Sequence, residues 1–210
     1  MSIRAASLAL LLSAPLSASA QPSFTADFSQ TAALNQPLLD CVGSAHGAVA
    51  LRADYRAHLA KVQHDIGFKH IRGHGLLSDD MSTYLYGHAS LINLFSVFDF
   101  YLSVGIKPIF ELSFMPRELA FDPTRTVMHY QGIVATFAAD KAQAWADFIA
   151  EVFVGLEARY GPDEVRSWRV EVWNEPAGTY FFQPRPGQSQ RKYMLQFRLF
   201  SRRSPPLTPY

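Results

Sequence analysis

A unit of helix, glycine and short strand recurs through the middle of the chain, and this recurrence limits the fold more than any other feature. Tyr55, Leu59, Val62 and Ile66 fall at i, i+4, i+7 and i+11, which predicts an amphipathic helix stopped by Gly67. Phe68 to Arg72 then reads as a strand. Phe95, Phe98 and Leu102 mark a second helix ending near Gly105, followed by a strand from Pro108 to Phe114. Trp145, Phe148, Ile149, Val152, Phe153 and Leu156 share one face of a third helix, with Asp140 as its candidate N-cap and Gly161-Pro162 as its stop. Val170 to Asn174 is the next expected strand, and Phe24 to Phe28 the first. Helices alternating with short strands imply a parallel sheet covered by helices.

Neither GxGxxG nor GxxxxGK[ST] occurs, so a doubly wound nucleotide-binding sheet is not expected. Polar residues gather instead where the strands end: Arg72-Gly73-His74, Ser113 to Pro116, and Asn174-Glu175-Pro176. That is where a (β/α)8 barrel carries its catalytic groups. The expected class is therefore α/β, of the (β/α)8 TIM-barrel type, truncated to roughly the first four βα units.

The flanking segments differ from this middle. Met1 to Ala20 reads as a secretory signal peptide, with Arg4, an apolar run from Ala5 to Leu12, and a small-x-small cleavage site at Ala18-Ser19-Ala20. The run is too short to span a bilayer core of about 30 Å. The expected location is secreted or periplasmic, with no membrane association after cleavage. Residues 21–182 are assigned to the N-terminal half of the barrel and 183–210 to a basic tail without apolar period. The formal net charge is +1, which argues against a nucleic-acid partner. The balance is uneven, however, because six of the 19 basic residues and none of the 18 acidic ones lie from Ala177 onward. Two readings of the tail stay open, a change of reading frame near Phe182 and a genuine basic extension that binds an anionic partner. Cys41 is the only cysteine, so no internal disulfide is available, and it reads as a small buried or loop residue.

Few residues can carry chemistry. Pro176 ends its strand and presents Glu175 at the rim. Beside the Trp173 indole a carboxylate loses solvation, which raises its pKa and suits a general acid. Asn174 can both donate and accept hydrogen bonds to a sugar hydroxyl. Strict alternation sends Asn174 and Glu175 to opposite faces, so the strand must twist or bulge there. A polar turn without catalytic role is the competing reading. Arg72, His74 and, deeper in, His70 share a face; with His64 they lack a carboxylate at ligand spacing, so no metal site is expected. Glu111 points with Ile109 and Ser113, and either supports the site from behind or forms a buried structural ion pair.

Arg169-Val-Glu-Val-Trp-Asn-Glu-Pro176 resembles the acid/base strand of retaining (β/α)8 glycosidases, most closely the family 39 glycoside hydrolases of β-xylosidases and α-L-iduronidases. Gly67-Phe-Lys-His-Ile-Arg-Gly-His-Gly75 with Leu77-Ser-Asp-Asp-Met81 resembles that family's second strand and following loop. Val104-Gly-Ile-Lys-Pro-Ile-Phe-Glu-Leu-Ser-Phe-Met-Pro116 resembles its third strand, and the likeness runs from about Pro37 to Pro176. The resemblance implies Glu175 as acid/base, Asn174 near the sugar 2-hydroxyl, and His74 with Arg72 in the sugar pocket. It implies an oligosaccharide substrate and no cofactor. The implied activity is that of a β-xylosidase; an α-L-iduronidase-like enzyme and a non-catalytic carbohydrate-binding remnant are the alternatives.

Retaining hydrolysis also needs a nucleophile about 5–5.5 Å from the acid/base. In the family it comes from the seventh strand, and no Asp or Glu follows Glu175 in these 210 residues. A complete barrel takes about 250 residues. The expectation is a chain without its nucleophile, inactive alone, that self-associates through an exposed half-barrel surface.

Overall fold

The computed structural model describes residues 23–30, 32, 39–127 and 132–193. The signal-peptide segment and residues 194–210 lie outside them. Met1–Leu34 form one unit and Asn35–Tyr210 another. In the first, the expected strand from Phe24 to Phe28 is absent. The Asp27 carboxylate accepts from Ser29 N at 3.0 Å and Gln30 Nε2 at 3.1 Å, which closes a local turn in place of an extended run.

The larger unit contains four parallel strands in sequential order: β1 Cys41–His46, β2 His70–His74, β3 Lys107–Glu111 and β4 Arg169–Glu171. Helices α1 Ala53–Ile66, α2 Ile92–Ser103 and α3 Ala142–Tyr160 form the crossovers, with a short α4 at Pro162–Arg166 before β4. Four βα-type strands are thus present, but the first is Cys41–His46. Its sequence, Cys-Val-Gly-Ser-Ala-His, has no apolar run and declares itself only through pairing with β2.

The stops behave as predicted. Gly67 and Gly105 have φ of 83° and 77°, a region open to glycine at no steric cost, and each turns its helix into the next strand. Gly161 ends α3 with φ 83°, and Pro162 starts α4 at once, where its missing N–H has no partner to lose. Asp140 is not the N-cap. A 3-10 turn over Ala139–Lys141 leads into α3, and Lys141 caps without a side-chain hydrogen bond. Strand β4 is shorter than expected. Leu112 N donates to Glu171 O at 2.9 Å, and the Ser113 hydroxyl then takes the next amide, that of Asn174, at 3.2 Å.

Alternation sorts the strand residues. Ile71 and Phe110 are buried toward the helices, where Phe98 meets Phe110 and Trp168 edge to face at 5.3 and 5.1 Å. Val97, Phe148, Val152 and Leu156 complete this layer; each such side chain contributes about 1.5–3 kcal/mol by leaving water. Of the expected α1 face, Leu59 is buried while Val62 and Ile66 remain exposed. Residues 183–193, assigned by sequence to the tail, pack on the barrel. Gln183 pairs with Val134 and Thr136, Thr136 Oγ1 donates to Gln188 Oε1, and buried Tyr193 sits against Phe137, Trp173 and Phe182. The boundary expected at 182 falls inside this packed segment.

Asp99 and Arg159 join α2 to α3 through two hydrogen bonds of 2.8 and 2.6 Å, and Tyr160 OH donates to the same carboxylate at 2.8 Å. Arg159, and with it Tyr160, hold the Asp99 carboxyl below its ordinary value of 3.8 against the opposing effect of burial. A depressed folded-state pKa means that the pair stabilises fully above that ordinary value and ceases to do so as pH falls through the lower one. Thermal melts of Asp99→Asn should therefore lie below those of the parent at pH 6, by the equivalent of about 0.2–1 kcal/mol for an exposed pair. The gap should close as pH falls below the ordinary carboxylate range and through the lowered Asp99 value.

Candidate active site

The even-numbered residues of β2 and the odd-numbered ones of β3 and β4 share the face away from the helices. Register sets Arg72 beside Ile109, and Glu111 directly beside Glu171. Two carboxylates side by side on neighbouring strands repel one another. Arg72 resolves the conflict. Its Nε and Nη2 donate to both oxygens of Glu171 at 2.6 and 2.7 Å, and Nη2 lies 3.0 Å from Glu111 Oε2. The bidentate geometry is the strongest form such a pair takes. Glu171 above all, and Glu111 after it, hold the Arg72 guanidinium above its ordinary pKa, while partial burial opposes them.

Glu111 is fully buried, where an uncompensated carboxylate costs several kcal/mol. Two donors satisfy it, Ser113 Oγ at 2.5 Å and His74 Nδ1 at 2.9 Å, and the Arg72 guanidinium neutralises its charge as an ion-pair partner. Glu111 thus forms a buried ion pair and also bonds His74 Nδ1. Arg72 Nη2 reaches Asn174 Oδ1 at 2.9 Å, which draws the residue before Glu175 into the same network.

Glu175 stands beyond the end of β4 with φ 39°, a left-handed conformation costly for a non-glycine residue. The backbone thus departs from strand geometry directly after Asn174. Asn174 is buried, whereas Glu175 is exposed and its carboxylate has no partner among the described residues. Trp173 is packed within the core. Its indole is 1% exposed, packs among Phe114, Phe182 and Tyr193, and donates Nε1–H to Phe181 O at 2.7 Å. It anchors the segment after Glu175.

His46 ends β1 beside His74 and pairs with Asp80, while Asp79 accepts from Arg117 N at 3.0 Å. The loops after β2 and β3 are thereby tied to each other and to β1. Gly75, with φ 65°, permits this: a Cβ there would lie 2.8 Å from Ser78 Oγ and 2.9 Å from His46 Nδ1. His70 turns to Asp40 O at 3.1 Å, and His64 to Asp65 at 3.0 Å on the surface, so the three histidines are not brought together. Among the described residues no three of His, Cys, Asp and Glu are grouped to hold a metal. Sequence reasoning missed Glu171, Ser113 as a ligand of Glu111, and the His46–Asp80 pair. The signal for Glu171 was its parity with Arg169 and Trp173 on a strand flanking Glu111.

Residues 27–198 match the family model of Glycosyl hydrolases family 39. The chain belongs to this family. It is 43% identical over 154 residues to a β-xylosidase of Caldicellulosiruptor saccharolyticus, covering 71% of this chain and 31% of the relative. It is 40% identical over 144 residues to a β-xylosidase of Geobacillus stearothermophilus, covering 65% and 28%. The solved structure of the GH39 enzyme from Xanthomonas axonopodis pv. citri superposes with a TM-score of 0.69 at 28% identity, covering 78% of this chain and 32% of that one. The chain thus spans about a third of the length of the family 39 proteins it matches, and its four-stranded sheet is part of a (β/α)8 barrel.

Arg72→Met leaves Glu111 and Glu171 facing each other without a cation. Urea denaturation should show a loss of about 3–5 kcal/mol. Arg169→Met, which breaks the more exposed 2.7 Å pair with Asp40, should lower stability far less than Arg72→Met does, because solvent screens that pair.

Proposed function

We propose that this chain carries the acid/base portion of a retaining β-xylosidase acting on xylo-oligosaccharides. The observation that carries this reading is the position of Glu175. It stands exposed on a left-handed turn at the C-terminal rim of β4, directly after an asparagine anchored to Arg72. In this reading Glu175 protonates the glycosidic oxygen as the bond breaks, and its carboxylate then takes a proton from the water that releases the sugar. Asn174 and His74 meet glycone hydroxyls. Glu111 is fully buried and Glu171 is held through both oxygens by Arg72, so neither is offered to a sugar as nucleophile.

A uronic acid substrate is less well matched. Its carboxylate calls for an available cation, and Arg72 is committed to Glu171, Glu111 and Asn174. The similarity to two β-xylosidases supports xylose as the glycone.

Hydrolysis of xylobiose by the purified protein, alone and mixed with the C-terminal part of a family 39 barrel that supplies the nucleophile, tests the assignment. Glu175→Ala should lower turnover by about 10²–10⁴-fold. Aryl xylosides with good leaving groups should suffer less, and added azide should restore part of the rate by replacing the activated water. Turnover unchanged by Glu175→Ala removes Glu175 from the mechanism. Binding of xylobiose without turnover of any xyloside supports the non-catalytic carbohydrate-binding alternative.

We read Met1–Ala20 as a secretory leader on the strength of its Arg4, apolar run and Ala-Ser-Ala ending. We also read the two outer strands of the described sheet, β1 and β4, as edges through which copies associate. Mass spectrometry of exported protein, expected to begin at Gln21, and a sedimentation mass above that of one chain check these two readings.

A further inference from the structure

Asn174 and His74 each have two chemically different ends, and the end facing a ligand decides what it can pair with. An amide offers an acceptor oxygen or a donor NH2, and a neutral imidazole has one nitrogen of each kind. Arginine only donates. Arg72 therefore reads out both orientations. Its Nη2 donates to Asn174 Oδ1 at 2.9 Å, which turns the amide oxygen inward. Asn174 Nδ2 has no partner among the described residues and is left as the end available to a ligand.

The same logic applies to the imidazole. Arg72 Nη1 approaches His74 Nε2 at 3.3 Å, and two donors cannot face one another, so Nε2 carries a lone pair. The ring proton sits on Nδ1 and is donated to Glu111 Oε2 at 2.9 Å. Glu111 is fully buried and reaches no ligand itself; Ser113 Oγ fixes its other oxygen at 2.5 Å. Glu171 holds the Arg72 fork through both of its oxygens.

We propose that Glu111 and Glu171 are positioning residues that set the polarity of the glycone site: through Arg72 and His74 they make Asn174 a donor and His74 Nε2 an acceptor. What the two groups meet rests on the sugar-site reading above; their polarity is a property of the unliganded protein. A sugar hydroxyl that gives its proton to Nε2 replaces the long contact from Arg72. The hydroxyl facing Asn174 is used through its oxygen lone pair.

Long-range proton–nitrogen NMR of the 15N-labelled full chain tests this, because a protonated and a bare ring nitrogen give separate signals. His74 should show a protonated Nδ1 and a bare Nε2. Glu111→Gln removes the anion that draws the proton to Nδ1, so a share of His74 with the proton on Nε2, its ring displaced from Arg72, should appear. The surface residue His64 should not change. A protonated Nε2 in the parent chain overturns the proposal, as does a folded Glu111→Gln whose His74 tautomer is unmoved. If that variant does not fold, the parent measurement decides alone. Glu171→Gln should speed exchange of the two Asn174 amide protons by about tenfold, the equivalent of one net hydrogen bond. Unchanged exchange in the folded variant removes Glu171 from the proposal. Xylobiose titration of the same sample is the separate arm. No binding with the expected tautomer counts against the sugar reading and leaves the polarity standing.

Discussion

Arg72 is the charge on which the inner face of the sheet depends. Parallel pairing in the observed register sets Glu111 against Glu171, an arrangement that two carboxylates alone would resist. One guanidinium, reaching from β2, satisfies both and fastens Asn174 with the same nitrogen. Burial of Glu111 is tolerable only because its partners are a cation, an imidazole and a hydroxyl held by the same strands. Fold and site are therefore one electrostatic problem. The register that packs Ile71 and Phe110 toward the helices is also the register that assembles the polar cluster on the other side.

The fold was legible where its causes are local. Apolar spacing and glycine stops located α1, α2 and α3, because a helix must bury one stripe and end where the chain turns. β1 was missed because Cys41–His46 is built of small and polar residues whose strand state comes from pairing with β2. The start of α3 was misread because Asp140 falls inside a 3-10 turn. Phe24 to Phe28 looked like a strand by composition, yet a side chain–backbone turn at Asp27 claims that backbone.

The site was legible as residue types but not as partners. Parity placed Arg72, His74 and Glu111 on one face, and the structure joins them directly. Glu171 stood in plain sight within the quoted strand motif; its meaning needed the register between β3 and β4, which no local pattern encodes. The packing role of Trp173 was hidden for a similar reason. Adjacency in sequence put it beside Glu175, while aromatic packing with Phe114, Phe182 and Tyr193 holds it beneath the turn. Charge and proline content likewise marked residues 183–193 as foreign, although Tyr193 is buried among those same rings.

The indole hydrogen bond from Trp173 to Phe181 has a mechanical consequence. Glu175 stands four residues past the last ladder position of β4, on a segment fastened at its far end by aromatic packing. Its height above the rim is governed by a lever whose other arm is the stretch from Phe181 to Tyr193. Substitutions along that arm can shift the turn that carries Glu175 while every strand stays in register, so the position of this rim can vary without rebuilding the sheet.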